Sequence, residues 1–237
     1  KNNSIIYNKI SSFERGIGLH STTETRGNII INNDVSVDDF GAIHLISASE
    51  NTIKDNNLTS ISDAGIGLNT LAEKNIFINN KITSYSGEMI KDNTPGKENY
   101  LIYNNSFGKI SWLDTENLNI TEGGTLALGI NPIIEFNRIT LNSSALPSLN
   151  RSAALKLVRG GIVAPIIMRT ENGVYEECDY ETICFKNENW HDGESFSFNV
   201  SQFTTYNISG NSFPEITINK INATSLNNYT TDNISCN

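Results

Sequence analysis

An asparagine that returns at almost constant spacing constrains the fold of this chain more than any other feature. The leading asparagines of five successive repeats stand 25, 23, 24 and 24 residues apart, at Asn3, Asn28, Asn51, Asn75 and Asn99. A second asparagine follows each leader after five residues, at Asn8, Asn33, Asn56, Asn80 and Asn104. A fixed period of about two dozen residues is typical of solenoids, in which each repeat forms one structural unit.

Apolar residues recur at the same period. They follow each leading asparagine after two residues, at Ile5, Ile30, Ile53, Phe77 and Leu101, and most of them after seven, at Ile10, Val35, Leu58 and Ile82. A third apolar cluster ends each early repeat, and polar or glycine-containing turns separate the clusters. A unit of three short strands buries its apolar face only by stacking on copies of itself. We therefore predict an all-β chain in which residues 1–140 form a right-handed parallel β-helix of about five regular coils with an irregular cap. A leucine-rich repeat and a sandwich fit this pattern less well.

The second asparagine column predicts a hydrogen-bonded ladder. An asparagine at a bend between strands can adopt the left-handed backbone conformation and bind neighbouring backbone groups. Its amide also reaches the equivalent amide of the next coil, about 4.8 Å along the axis. We expect this ladder at Asn8, Asn33, Asn56, Asn80 and Asn104, and membership of the ladder makes Asn104 a poor glycan acceptor. Asn57, one residue beyond the ladder position, should point outward.

The N-x-I-x-x-N-x-I coils of residues 1–110 resemble the β-helix repeats of pectin-degrading enzymes and of the NosD-like proteins of copper maturation. This resemblance implies an architecture rather than an activity, because many unrelated functions share such coils. The alternation becomes irregular from Ser111 to Leu141, where we expect one or two final coils or a strand pair that caps the solenoid.

Residues 141–210 follow a different pattern, which predicts a small antiparallel β-sandwich. Phe196, Phe198 and Val200 alternate with polar residues, and we expect further core residues at Leu155, Leu157, Val163, Ile166, Ile167 and Trp190. The stretches LNSSALPSLNRSAALKL, PIIMRTENGVYEEC and FNVSQFTTY are similar to a module that follows β-helix repeats in surface proteins of archaea. That resemblance implies an exported protein. Residues 211–237 resemble the first strands of an Ig-like domain, in which Cys236 would pair with a cysteine further on.

Charge and modification motifs favour a place outside the cell. A net charge of −9 argues against a nucleic-acid partner, because phosphates need clustered Lys and Arg. No apolar run approaches the about 20 residues of a membrane helix. Cys178 and Cys184 bracket a short loop that a disulfide could close, which suits an oxidising compartment. Of eleven N-x-Ser/Thr sequons, we expect N-linked glycans at Asn57, Asn119, Asn142, Asn150, Asn199, Asn207, Asn222 and Asn228.

The sequence offers one weak candidate for catalysis or cation binding. A β-helix enzyme needs two or three acids from neighbouring coils, as acid and base or as Ca²⁺ ligands. Glu14, Asp39 and Asp63 precede the third strand of successive coils, and we interpret them first as solvated turn residues. The histidines His20, His44 and His191 fall in separate contexts without metal-ligand spacing, so we predict no metal site. The aromatic residues Trp112, Trp190, Tyr85, Tyr100 and Tyr103 are interpreted as core or scattered surface residues rather than a sugar-stacking platform.

These patterns predict a non-catalytic extracellular structural protein, such as a component of a surface filament, an envelope layer or an adhesin stalk. Self-association into a filament or lattice is expected, because solenoid ends carry unpaired sheet edges. No cofactor is predicted, with Ca²⁺ as the weak alternative. The alternative functions are a polysaccharide lyase or hydrolase and a glycan-binding β-helix.

Overall fold

A computed structural model describes residues 2–85, 87–94, 96–158, 162–171, 173–191, 194–212, 221–223 and 234–236. The regular secondary structure of the described chain is almost all β-strand, with a short 3-10 helix at Pro147–Leu149. The first twelve strands come in four groups of three, and each group forms one coil. They are β1 (Ser4–Ile6), β2 (Lys9–Ser12), β3 (Ile17–Arg26), β4 (Ile29–Ile31), β5 (Asp34–Val37), β6 (Ile43–Ser49), β7 (Thr52–Lys54), β8 (Asn57–Ser60), β9 (Ile66–Asn69), β10 (Ile76–Ile78), β11 (Lys81–Ser84) and β12 (Ile90–Asp92).

The remaining strands close the solenoid and form a second unit. They are β13 (Tyr100–Asn105), β14 (Gly108–Trp112), β15 (Gly124–Leu126), β16 (Pro132–Glu135), β17 (Arg138–Leu141), β18 (Ala153–Val158), β19 (Ile162–Glu171), β20 (Val174–Glu177), β21 (Cys184–His191), β22 (Ser195–Val200), β23 (Thr205–Ser212), β24 (Ile221–Ala223) and β25 (Ile234–Cys236).

Equivalent strands of successive coils pair in parallel and make three sheets. Sheet 1 contains β1, β4, β7, β10 and β13, sheet 2 contains β2, β5, β8 and β11, and sheet 3 contains β3, β6, β9 and β12. The register places Ile30 opposite Ile53 and Ile53 opposite Phe77, as the apolar columns of the sequence require. The predicted parallel β-helix is therefore confirmed. It has about four turns, where the sequence predicted about five regular coils.

A residue in the left-handed conformation makes each bend between sheets 1 and 2. These residues are Tyr7, Asn32, Asp55 and Asn79, with φ between 52° and 56°. Each precedes a ladder asparagine, so the prediction that the asparagine itself adopts this conformation is wrong by one position. The left-handed residue turns the chain, and the next side chain then reaches its counterpart one coil away. The same holds for the first four leading asparagines. Each of them follows a residue with positive φ, namely Asn2, Gly27, Glu50 and Lys74.

The fifth repeat does not complete a coil. Its strand β13 runs straight through Asn104 to Asn105 and forms an antiparallel hairpin with β14. Sheet 2 ends on the antiparallel strand β15, and Ile120 bridges Ile90 at the end of sheet 3. The C-terminal end of the solenoid is therefore covered by antiparallel structure, as the sequence analysis predicted for an irregular cap.

The second unit shares a sheet with the solenoid. Sheet 1 continues from β14 through β18, β22 and β21, all antiparallel, and faces sheet 4, whose order is β16-β17-β23-β19-β20. Three of these strands, β14, β16 and β17, come from the residues that the sequence analysis assigned to the β-helix. Strand pairing therefore does not divide the chain at residue 140, because the last strand of the helix is also the first neighbour of the sandwich.

One hydrophobic core runs through both units. It passes from the isoleucine and leucine columns of the coils through Trp112 and Ile134 to Phe198 and Tyr206. The predicted core residues Leu155, Leu157 and Ile167 are buried, whereas Ile166 is half-buried. The side chains of Val163 and Trp190 lie outside the described part. In the tail, β24 pairs with β25 in antiparallel fashion, and the prediction of an Ig-like beginning otherwise falls outside the described residues.

Candidate functional site

Two parallel asparagine ladders run along the solenoid. In the second column, Nδ2 of Asn8 donates to Oδ1 of Asn33 at 3.0 Å, Asn33 to Asn56 at 3.0 Å, and Asn56 to Asn80 at 2.9 Å. The leading column, for which no ladder was predicted, has the same bonds from Asn28 through Asn51 and Asn75 to Asn99, at 2.9 to 3.0 Å. The constant spacing of the leading asparagines in the sequence could have predicted this second ladder. Seven of these asparagines, Asn28, Asn33, Asn51, Asn56, Asn75, Asn80 and Asn99, are at most 3% exposed.

Every rung points in the same direction. The Oδ1 atom of a ladder asparagine accepts from the coil before it, and its backbone N–H and Nδ2 donate to the asparagine of the coil after it. The same Nδ2 groups of Asn33, Asn56 and Asn75 also donate to a backbone carbonyl of the coil before. Asn51 shows the pattern, since its Oδ1 accepts from both N and Nδ2 of Asn28 at 2.9 Å. Its own Nδ2 donates to Asn75 at 2.9 Å. Each ladder thus has an acceptor end and a donor end, and each rung satisfies buried backbone groups that would otherwise be unpaired.

Asn104 is not part of the ladder, and that prediction is corrected. It is exposed, and its Oδ1 accepts from Nδ2 of Asn79 at 2.9 Å rather than from Asn80. The residue before it, Tyr103, is fully buried, and its hydroxyl donates to the carbonyl of Asn80 at 2.6 Å. Tyr103 thus holds the chain extended at the place where earlier coils bend, and burial raises the pKa of its phenol far above the usual range.

The three predicted acids lie in turns on one side of the solenoid. Glu14 and Asp39 are exposed and Asp63 is half-buried, and Oδ1 of Asp39 accepts from the next backbone N–H, that of Phe40. Arg15 lies over the Phe40 ring at 4.8 Å. Within the described ranges, no three His, Cys, Asp or Glu side chains come together as a metal site.

Two histidines that the sequence analysis placed in separate contexts meet on the outer face of sheet 3. The rings of His20 and His44 contact edge to face, with centroids 5.4 Å apart. Nε2 of His44 lies 2.6 Å from Nδ2 of Asn69, and an amide nitrogen can only donate, so Nε2 is the acceptor. Pairing of GIGLH with AIHLI, one coil apart, was the signal that would have located this contact.

The environment keeps His44 neutral. Burial lowers the pKa of its imidazole below the ordinary value, and the charges of His20 and Arg15 lower this pKa further. Asp63 opposes them and raises this pKa. Nδ1 of His44 is buried and has no hydrogen-bond partner among the described atoms. His20 and His44 therefore form a polar, partly desolvated pair on the outer face of sheet 3.

The predicted glycan acceptors differ in how free their amide nitrogens are. Asn142 and Asn150 are exposed, and each uses only Oδ1, which accepts from Ala145 N and Phe203 N respectively. In contrast, the Nδ2 groups of Asn57, Asn119 and Asn207 donate to neighbouring side chains or backbone, and these residues are half-buried. Asn199 is half-buried on the outer face of β22. The side chains of Asn222 and Asn228 fall outside the described set.

The predicted disulfide is present. Cys178 and Cys184 are bonded, with a Cα–Cα distance of 6.1 Å, and both are buried. The bond joins the end of β20 in sheet 4 to the start of β21 in sheet 1. Asp179 organises the intervening turn, and the hydroxyl of Thr182 and the backbone N–H of Glu181 lower the pKa of its carboxyl.

The first coil of the solenoid is less buried than the coils that follow it. Strands β1, β2 and β3 each begin a sheet and therefore have a partner on one side only. The apolar residues Ile5 and Ile10 of this first coil are half-buried, whereas their counterparts Ile30 and Val35 are 0% exposed. A shallow depression of about 660 Å³ opens between them. The first coil is therefore the least buried of the four coils in the described structure.

Among the predicted aromatic residues, those whose side chains are described do not form a platform, and the side chain of Trp190 lies outside the described part. Trp112 and Tyr103 are buried in the core, Tyr100 is half-buried and Tyr85 is exposed. None of the described helical segments is long and apolar enough to span a membrane. No family model, curated protein or solved structure matches the chain.

Proposed function

We propose that the chain is a non-catalytic extracellular structural protein, a component of a surface filament, envelope layer or adhesin stalk of archaeal type. The observation that carries the proposal is the pair of buried asparagine ladders that ties the coils of the solenoid together. The C-terminal end of the solenoid is covered by antiparallel strands. A β-helix of this kind is a rigid spacer, which suits an element of an assembly.

A second feature supports contact with neighbouring subunits. The outer face of sheet 1 carries isoleucines in place of the polar residues that usually face water. They stand in two columns. Ile29 and Ile76 lie on either side of Thr52 in one, and in the other Ile6 and Ile31 are separated by Lys54 from Ile78 and Ile102. Ile6 is 41% exposed and Ile29 is 42% exposed. Exposed isoleucines grouped on one sheet face favour lateral self-association into a filament or lattice.

The disulfide and the sequons support a place outside the cytoplasm. Buried disulfides persist in oxidising compartments. Of the sequons described, those at Asn142 and Asn150 best fit an attached glycan, because their amide nitrogens donate no hydrogen bond within the described structure. We therefore expect N-linked glycans at Asn142 and Asn150 in preference to Asn57 and Asn207.

Surface labelling and a cleavage assay test this function together. Antibody against the chain should label intact cells of the source organism, and electron microscopy should show filaments or a lattice. Glycopeptide mapping should find Asn142 and Asn150 occupied. The alternative is a polysaccharide lyase or hydrolase, which would cleave acidic polysaccharides and lose that activity in Asp39→Asn or Asp63→Asn but not in the control Asp34→Asn. Such activity, or labelling only after permeabilisation, would refute the structural function.

A further inference from the structure

A polar cavity of about 300 Å³ lies among three loops of the second unit. Its walls come from the turn after β17, from the residue that ends the 3-10 helix and from the segment between β22 and β23, where Asn142, Asn150 and Gln202 lie. Phe203 N donates to Asn150 Oδ1 at 2.7 Å, and the hydroxyl of the buried Tyr206 donates to Gln202 O at 2.6 Å. Because these bonds join the loops to each other and to the core, the fold itself sets the shape of the cavity.

The side chains that line the cavity carry donors and acceptors that the fold does not use. Asn142 and Asn150 accept hydrogen bonds through Oδ1, and neither Nδ2 donates to any described residue. The side-chain amide of Gln202 and the hydroxyls of Ser143 and Ser144 likewise have no hydrogen-bond partner among the described atoms. Gln202 and Ser143 are half-buried, so a hydrogen bond to a ligand there is less exposed to competition from water.

The chemistry of the lining selects a neutral ligand with many hydroxyl groups. None of the described residues that line the cavity carries a charge. A phosphate site would require Arg or Lys, and a Ca²⁺ site would require carboxylates. The net charge of −9 also disfavours an anionic ligand. Amides and hydroxyls supply donors and acceptors side by side, which matches the hydroxyl groups of a sugar.

Two sequons meet at this cavity. Asn142 and Asn150 come from different loops, and a glycan attached to either would begin at the cavity wall. We propose that the cavity binds a neutral sugar residue, a hexose or an N-acetylhexosamine. The sugar belongs either to a glycan that the protein itself carries or to a separate saccharide, and the two sources share this chemistry. The inference deepens the proposed function, on which it rests, because it gives an extracellular protein a defined contact with glycans.

Unglycosylated full-length protein from a bacterial host tests the cavity itself. Nuclear magnetic resonance follows the side-chain amide signals of Asn142, Asn150 and Gln202 during titration with glucose, galactose, mannose and N-acetylglucosamine. Glucuronate is the matched control for glucose, because it differs in carrying a carboxylate. We expect at least one neutral sugar to shift these signals in the millimolar range, and glucuronate to bind about tenfold more weakly than glucose, since no cation compensates its charge. No shift with any of the four neutral sugars, or equal binding of glucose and glucuronate, would overturn the proposal.

Two substitutions in the lining leave both sequons intact. Gln202→Leu keeps the size of the side chain but removes its donor and acceptor, and should weaken sugar binding by about tenfold. Ser143→Ala is the smaller change and should weaken binding by a smaller factor, which keeps the test valid if Gln202→Leu fails to fold. Asn104→Leu, an exposed amide outside the cavity lining, is the matched control and should leave binding unchanged. Unchanged binding in a folded Gln202→Leu or Ser143→Ala variant would contradict the proposed contacts.

Hydrogen exchange distinguishes the two sources of the sugar. The backbone N–H of Phe203 reports on the cavity, because its acceptor is Asn150 Oδ1. Protection of this amide in protein isolated from the source organism, without added sugar, would identify the protein's own glycan as the ligand. Protection that appears only after a neutral sugar is added would identify a separate saccharide, and protection in neither case would refute sugar binding. Antibody labelling of cells and the polysaccharide cleavage assay do not depend on the cavity, so failure here is distinguishable from failure of the proposed function.

Discussion

Replacement of Asn56 by leucine measures what one rung of the ladder contributes to stability. Nδ2 of Asn56 donates to Asn80 Oδ1, Ile30 O and Lys54 O, at 2.9 to 3.0 Å. Its Oδ1 accepts from both N and Nδ2 of Asn33. Asn56 is 1% exposed, so water cannot replace these bonds. Leucine is of similar size and leaves no cavity, which isolates the hydrogen-bond effect.

The magnitude follows from the groups left without a partner. In Asn56→Leu the buried N–H of Asn33 loses its acceptor and the carbonyl of Ile30 loses a donor. Each such loss costs about 1–3 kcal/mol, so the free energy of unfolding should fall by about 2–6 kcal/mol. For a chain of this length that corresponds to a fall in melting temperature of roughly 4–24 °C. Calorimetry of the oxidised protein provides the measurement.

Asn104→Leu is the matched control, because Asn104 occupies the same column of the sequence repeat. It is exposed and contacts Asn79 at the surface, so its replacement should change stability by only about 0.5 kcal/mol. Equal losses in the two variants, or a loss below about 1 kcal/mol in Asn56→Leu, would show that the rungs do not stabilise the solenoid in this way.

Three further predictions concern the disulfide, the cap and the histidine pair. Cys178→Ala with Cys184→Ala should lower the free energy of unfolding by about 2 kcal/mol in denaturant titration, since the closed loop is short; no change would contradict this. Asp92→Ala should cost about 3 kcal/mol, because its buried carboxylate accepts from the N–H groups of Thr94 and Leu118, and Asp92→Asn should cost less. His44 has a lowered pKa, so its contribution is complete above the unfolded value of 6.5 and is lost as the pH falls below it. The melting temperature should therefore fall less on acidification in His44→Gln than in the parent, and identical pH profiles would rule out a contribution from His44.

The last strand pair of sheet 3, β9 with β12, shows which features the sequence period can predict and which it cannot. The apolar cluster at the end of each early repeat predicted a third stack of strands, and the register of sheet 3 pairs Ile43 with Ile66 and Ile66 with Ile90. One pair further along, Leu68 faces Asp92, which breaks the column. A single strand cannot reveal that this aspartate is buried, because its partner Leu118 is supplied by a distant segment. The same limit applies to His20 and His44, whose contact depends on the register between coils.

The sequence by itself determined the solenoid, its apolar columns and the short disulfide loop. These features repeat locally or span a few residues, so the periodicity of side chains is enough to specify them. The tertiary structure alone decided where the solenoid stops. Asn80 and Asn104 occupy one column of the repeat, yet the chain bends at the first and continues straight at the second. The difference comes from Tyr103, whose ring packs against Trp112 of β14, and from pairing of β14 with β18. Those contacts bring together residues far apart in the chain. They close the C-terminal end of the two ladders.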